Sequence, residues 1–380
     1  MSERRGKRVI FCGTRGVPAR YGGFETAVDE ISARFVEAGY ECGVVCRESS
    51  GGEAPKVHEG RNLVYVEGSR SRTLDTFASA IQTGLYLLRH RGKYDHVFWF
   101  NNANLPGILL TLASGVPTSV NTDGMEWRRA KWRWPFKAYY YAASFLVSRL
   151  CRSVISDSEA LRSYYEKVFR KRTEFVPYGV PRSPEVPPER RREILERYRL
   201  EPGCYFLQIT RFEPDNLPLE NAVAFRAAGL SRLGFKLLLV GYQHGSAYSR
   251  QIKAMSGRDG ILVADAAYDP EVLAALREEC FCYVHGNSVG GTNPALLEAM
   301  DTCSRVLAVD LPFSRELLGD TGYFFDPATM TEDLRAVLSR PDSSEATRER
   351  VRARYRWDEV ARSYMRLAEG KPAAYSPSGA

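Results

Sequence analysis

The chain has no run of 18 apolar residues, so no segment is expected to cross a bilayer as a helix. A secretory leader is missing from the pattern too: Met1 to Lys7 is polar and charged, and the expected compartment is the cytoplasm. Zinc-type spacings do not occur. Of the eight cysteines, the close pairs Cys42/Cys46 and Cys280/Cys282 lack both the spacing and the histidine partners of a zinc site. Several lie in apolar runs such as Val9-Ile10-Phe11-Cys12, where a reduced thiol behaves as a small buried hydrophobe. The loop after the first apolar run is neither GxGxxG nor a GK[ST] phosphate loop, which disfavours a dinucleotide oxidoreductase and an NTPase. Charge of one sign is not in large excess either: 53 basic minus 46 acidic residues leave +7 over 380 residues. That is too diffuse for a nucleic-acid binder, although a phosphate substrate or an anionic membrane needs only a local patch.

What is present is an alternation. Short apolar runs (Lys7–Gly13, Glu41–Arg47, Asn62–Val66, His96–Asn101, Thr118–Asn121, Ser153–Ser156) are separated by helix-patterned stretches at Glu25–Ala38, Thr76–His90, Pro106–Ala113 and Trp134–Leu150. A second series follows at Tyr205–Thr210, Phe235–Val240, Ile261–Val263, Cys280–Val284 and Arg305–Val309, with a helix start expected near Thr292 among others. Strand–helix alternation of this kind indicates βαβ units and parallel sheets. Length alone favours two domains. The proline- and charge-rich stretch Val180–Arg192 is read as the linker between them, and Ala346–Glu369 as one charged amphipathic helix.

Ligands of open α/β sheets sit at the carboxyl ends of strands, over loops and helix N-termini. Three segments have that position. The first is Gly13-Thr14-Arg15-Gly16-Val17-Pro18 through Tyr21-Gly22-Gly23-Phe24-Glu25-Thr26, where glycine lets backbone approach a ligand closely; a plain surface turn would use the same residues. The second, Gln208 to Asn216, sets Arg211 just beyond a strand, where a guanidinium suits bidentate phosphate contact or is simply solvated. The third runs from Val284 through Gly290-Gly291-Thr292-Asn293-Pro294 to Met300: a strand, a Gly-Gly turn, a Thr cap, and a helix carrying Glu298 among apolar neighbours. A carboxylate there needs a partner, and ribose hydroxyls are one candidate; a helix-surface glutamate is the other.

Together these segments resemble the retaining nucleotide-sugar glycosyltransferases of the GT-B fold, in the family-four group, and within it the bacterial rhamnosyltransferase-like branch. The first segment and Asp123-Gly124-Met125-Glu126-Trp127-Arg128-Arg129-Ala130-Lys131-Trp132 carry most of the likeness. Asp157-Ser158-Glu159, Pro177-Tyr178-Gly179 and Gly290 to Met300 add to it. The resemblance implies an α/β protein with two Rossmann-like domains facing across a cleft: residues 1–179 on the acceptor side, 180–350 for the donor, a crossover helix at 351–370 packing back towards the N-terminal domain, and a tail at 371–380. It implies transfer of a hexose or deoxyhexose, with L-rhamnose from dTDP-rhamnose as the best single choice. Transfer goes with retention to a glycan or lipid-linked sugar, in cell-surface polysaccharide synthesis. Arg211 would neutralise the donor diphosphate and Glu298 would hold the ribose. The backbone at Gly291-Thr292-Asn293, beside Gly290, would receive the distal phosphate or sugar. Gly22 and Gly23 would close the donor site, and Asp123 would contact the reacting sugar. Stabilising the leaving diphosphate then matters more than a dedicated base. No paired Asp-x-Asp motif appears, so neither metal nor other cofactor is expected.

Two positions depart from the wider family: Gly290 stands where a glutamate is usual, and Asn216 where a lysine is usual. The stretch Trp127 to Tyr141 interleaves aromatics with cations. With Glu25, Glu126, Trp127, Arg128, Arg129 and Lys131 it is assigned to the acceptor or membrane side, by contact with an anionic headgroup layer or an acceptor pyrophosphate. Its tryptophans Trp127, Trp132 and Trp134 can at the same time partly fill the first domain's core with the cations pointing outward. Rival readings are a GT-B fold epimerase and a non-catalytic nucleotide-sugar-binding protein.

Overall fold

A computed structural model of the chain describes residues 6–19, 22–47, 55–69, 75–122, 124–129, 132–241 and 245–375. It divides into two compact units, Met1–Trp127 with Trp132–Gly179 and Arg356–Pro377, and Arg128–Lys131 with Val180–Tyr355.

The first unit is built on strands β1 (Arg8–Cys12), β2 (Glu41–Arg47), β3 (Val57–His58), β4 (Arg61–Val66), β5 (His96–Phe100), β6 (Thr118–Asn121), β7 (Ser153–Ser156) and β8 (Glu174–Phe175). Their order in the sheet is β3-β4-β2-β1-β5-β6-β7-β8, and only β3 runs antiparallel to its neighbour. Helices α1 (Gly23–Glu37), α2 (Asp75–Arg89), α3 (Leu105–Ala113), α4 (Trp134–Leu150) and α5 (Glu159–Phe169) connect them. A parallel strand covered on both faces has no polar side to show, which is why β5 reads His-Val-Phe-Trp-Phe and is buried throughout. Ile10, Val97, Trp99, Val120 and Val154 form the centre of one core, each full burial contributing about 1.5–3 kcal/mol.

The second unit holds α6 (Pro188–Arg197), β9 (Tyr205–Ile209), α7 (Pro218–Ala227), β10 (Lys236–Gly241), α8 (Ala247–Ala254), β11 (Ile261–Asp265), α9 (Pro270–Glu278), β12 (Cys282–His285), α10 (Pro294–Thr302), β13 (Val306–Val309), α11 (Pro312–Leu318), β14 (Tyr323–Phe325), α12 (Met330–Ala336) and α13 (Ser344–Arg354). Its sheet runs β11-β10-β9-β12-β13-β14, all parallel, the doubly wound order whose switch point lies between the first and fourth strands. Phe206, Leu237, Leu239, Val284 and Leu307 are buried together in its core. Proline opens α6, α7, α9, α10 and α11, where its missing N–H has no helical acceptor in any case.

Two expectations are corrected. The supposed linker is helical from Pro188 on, because α6 buries Ile194 and Leu195. The single helix expected over Ala346–Glu369 is two. The chain leaves the helix at Tyr355, whose buried side chain and a carbonyl accepting from Val180 N–H at 2.7 Å replace the next helical turn. Helix α14 (Trp357–Ala368) then packs in the first unit against α1. Tyr364 stacks on Phe100 with ring centroids 6.0 Å apart and its hydroxyl accepts from Asn121 at 2.6 Å. Arg34 of α1 pairs with Asp358 at 2.7 Å. A Cβ on Gly179 would lie 2.6 Å from the Trp357 indole, so glycine in the Pro177-Tyr178-Gly179 segment is what lets α14 seat. Among the described residues no helix is long and apolar enough to cross a membrane.

Candidate functional site

In the second unit the loops after β9 and β12 emerge side by side at the switch point and are tied to each other. Ser288 donates to the Asp215 carbonyl through both its N–H and its hydroxyl, each at 2.8 Å. The Thr210 hydroxyl donates to Asn287 at 3.4 Å. Below them Gln208 donates to the Asn216 carbonyl at 2.7 Å and accepts from Asn221 at 2.9 Å. Gly286 is required here, since a Cβ would sit 2.4 Å from the Asn216 carbonyl oxygen.

Arg211 stands in the first of these loops, half-buried, while its own carbonyl accepts from the Asn216 side chain at 2.9 Å. Among the described residues nothing bonds its guanidinium. Asn216, where the resembling family carries lysine, is 99% buried. It shapes the loop and brings no charge. Arg211 is therefore the loop's single cation, beside the acids Glu213 and Asp215.

In the second loop, Gly291 and Thr292 are buried and Gly290 borders open space, with nothing within 4 Å of a Cβ built on it. The helix cap is Asn293, not Thr292: its side chain accepts from Ala295 N–H at 3.0 Å, and α10 begins two residues later than expected. Glu298 has a partner that the sequence did not disclose. It forms an ion pair with Arg277 of α9, a residue only 5% exposed. Burial works against the charge on Arg277, yet the carboxylate of Glu298 raises its pKa. Glu298 keeps a quarter of its side chain accessible, so the pair fixes the carboxylate without covering it. His285 ends β12 almost completely buried. Among the described residues its Nε2 has no hydrogen-bond partner, and desolvation lowers its pKa to about 3, so it is a neutral imidazole at the base of the loop. Neither Arg277 nor His285 stands out in the sequence: His285 ends an apolar strand, where a core role is the default, and Arg277 ends an amphipathic helix, where an arginine is expected at the surface.

The first unit repeats the arrangement. Its switch point lies between β1 and β5, and Asn104 ties the two loops by donating to the carbonyls of Gly13 at 3.1 Å and Phe100 at 2.8 Å. Gly13 has φ +96°, and a Cβ there would meet the Phe100 oxygen at 2.3 Å. Glu25 accepts from Arg15 N–H at 3.1 Å and Asp29 from Ala19 N–H at 2.8 Å, so α1 holds the glycine loop from below. Gly22 caps α1 at φ +94°, with Gly23 as its first residue. Burial raises the pKa of Glu25, against the lowering effect of the Arg15 N–H. Glu25 thus braces the loop from within.

Asp123, Ala130 and Lys131 lie outside the described residues. Glu126 is buried and accepts from the Trp132 indole at 2.9 Å. Trp127 is half-buried against Tyr141, Tyr164 and Phe169. These two pack inside the first unit. Arg128 is exposed and Arg129 buried. Among the described residues Asp29, His58 and Glu59 bring ligand atoms within 4.8 Å of one another. The buried Arg61 guanidinium bonds both carboxylates and offsets one of their two charges. A cavity of about 400 Å³ beside α6, lined by Arg191, Arg192, Glu196 and Glu279, lies at the opposite, amino end of β9, away from both loops.

Residues 6–181 match the family model described as a domain of unknown function, DUF1972. A search of curated protein sequences found no match. Similar solved structures include sucrose-phosphate synthase from Thermosynechococcus elongatus, with TM-score 0.80 and 16% identity over 96% of this chain and 99% of that one. HepE from Anabaena, solved with UDP and glucose, gives TM-score 0.72 and 14% identity over 96% and 99%. A glycosyltransferase from Rickettsia africae gives 0.69 and 13% over 97% and 99%. The fold of this chain is GT-B, α/β with a doubly wound sheet in each unit.

Proposed function

We propose that the protein is a nucleotide-sugar-dependent glycosyltransferase whose donor diphosphate binds at the switch point of the second unit. The observation that carries this reading is Arg211: a guanidinium held by a braced loop, with no partner among the described residues, beside the turn that opens α10. Such a group suits the charge that grows on a departing diphosphate. The Arg277-supported carboxylate of Glu298 would accept from the ribose, and the backbone at Gly291-Thr292-Asn293 would take the distal phosphate. A structure of similar fold solved with UDP and glucose supports a nucleoside diphosphate hexose as the donor class. L-rhamnose, retention at the anomeric carbon, a lipid-linked or glycan acceptor at the inner face of a membrane, and a role in cell-surface polysaccharide are the finer terms of the same reading, and the resemblance of the N-terminal motifs supports them. Asp123 is assigned to the reacting sugar on that basis alone. Arg211 as the loop's only cation also favours a second reading, a protein that binds the donor without transferring it.

A thermal-shift screen of nucleoside diphosphates and their sugars tests the binding. A ligand at about 100 times its Kd stabilises the native state by about 2.7 kcal/mol. One base should raise Tm clearly in the wild type and much less in Arg211→Ala; equal shifts in both proteins would remove Arg211 from the site.

A further inference from the structure

From the surface of the first unit we infer that α4 lies flat on an anionic lipid membrane. The exposed positions of α4 are Trp134, Pro135, Ala138, Tyr141, Ala142, Phe145, Leu146, Arg149 and Leu150, a stripe that recurs at the helical period along all its turns. It carries one charge, Arg149, whose guanidinium lies 5.2 Å from the centroid of the Phe145 ring. The opposite side, with Ala143, Ser144, Val147 and Ser148, is buried. Trp134 is 78% exposed, Leu150 50% and Leu146 37%, high values for large apolar groups gathered on one element. Val168 of the neighbouring α5 is exposed too, at 45%, and widens the patch.

Charge selects the occupant. From Trp127 to Ser156 the sequence has no acid and seven basic residues. Arg133 precedes α4, Lys137 lies on its first turns, and Arg149 and Arg152 stand at its C-terminal end. Lys171 donates to the carbonyls of Cys151 at 2.7 Å and Arg152 at 3.0 Å, which adds a cation where the helix ends. On α5 the exposed Lys167 is offset by Glu166, and Arg162 is paired with Glu159. An apolar stripe with Trp, Phe and Leu, edged by cations, is the pattern of a helix lying in a headgroup layer. A two-fold contact with a second copy would instead set these cations against themselves. The surface overlaps the Trp127–Tyr141 stretch expected from sequence at Trp134 and Tyr141 and extends it along α4 to Leu150, whereas Trp127 packs against Tyr141, Tyr164 and Phe169. The inference deepens the membrane-face part of the proposed function and does not depend on the donor assignment.

The test is flotation of the full chain with vesicles of phosphatidylcholine alone or mixed with phosphatidylglycerol, at low and high salt. The wild type should float with the mixed vesicles, be released as salt rises, and stay behind with phosphatidylcholine alone. The triple variant Trp134→Ser, Leu146→Ser, Leu150→Ser should partition about tenfold less or weaker still, with an unchanged melting curve and unchanged donor hydrolysis. Undiminished flotation of the folded triple variant overturns the inference. So does a lipid-free dimer, seen by sedimentation, that the triple variant abolishes. Loss of donor turnover in every form with flotation intact would refute the proposed function and leave this surface standing.

Discussion

At the scale of single residues, the two arginines of the second unit divide the work. Arg277 is buried and committed to Glu298, whereas Arg211 is half-buried and has no partner among the described residues. Removing one member of a buried ion pair leaves the other desolvated and costs about 3–5 kcal/mol. Arg277→Met should therefore lower stability, by less than that because Glu298 keeps a quarter of its side chain accessible, and also weaken nucleoside diphosphate binding, because Glu298 loses the group that orients it. Glu298→Gln keeps the shape and a hydrogen bond to Arg277, yet exchanges a charge-assisted bond to ribose for a neutral one. It should weaken binding about tenfold, and less for a deoxythymidine ligand, which offers the 3′-hydroxyl alone. Calorimetry on both variants checks this; affinities equal to wild type would mean that Glu298 serves only the fold. Arg211 was legible in the sequence because it stands just past an apolar run. Arg277 was not, since an arginine at the end of an amphipathic helix gives no sign that it points inward.

At the scale of elements, periodicity located β2, β6, β7 and α4 to the residue, because buried parallel strands and proline-opened helices have sharp compositional edges. It missed the two-residue strands β3 and β8 and the short β14, which are too brief to show a period. It also ran α13 and α14 together, since the break at Tyr355 depends on a distant backbone partner. The cap of α10 was misplaced for a comparable reason: Thr292 and Asn293 are both capping residues, and only geometry shows which side chain turns back. Asn293→Ala should cost about 1 kcal/mol, whereas Thr292→Ala should cost no capping energy. Chemical denaturation of the two variants separates the cases. For α14, Gly179→Ala should destabilise by about 1–3 kcal/mol through overpacking against Trp357, and because the added Cβ would also lie 2.6 Å from the Trp357 backbone nitrogen, the second-site change Trp357→Leu should not restore it.

At the scale of the whole molecule, each unit buries a neutral histidine on a switch-point strand. Desolvation lowers the pKa of His96 to about 4 and that of His285 to about 3, from 6.5. Between those values and 6.5 the unfolded chain binds more protons, so stability rises with pH across the window and is lost as pH falls through it. By pH 5 each imidazole should have cost about 2 kcal/mol. Glu25, with its raised pKa, acts in the opposite direction, so the informative comparison is with substitutions. His96→Gln and His285→Leu should each flatten the dependence of Tm on pH between 7 and 5. An unchanged slope in both would show that these imidazoles are protonated in the folded protein.

The paired loops of the second unit lead to one decisive reaction. Purified protein given a panel of deoxythymidine, uridine and guanosine diphosphate sugars, with release of the nucleoside diphosphate followed continuously, should turn over one donor class. Arg211→Ala, folded by its melting curve, should lower kcat about 10²-fold. Release from none of the donors, together with no change in Tm on adding any nucleoside diphosphate, would contradict the account.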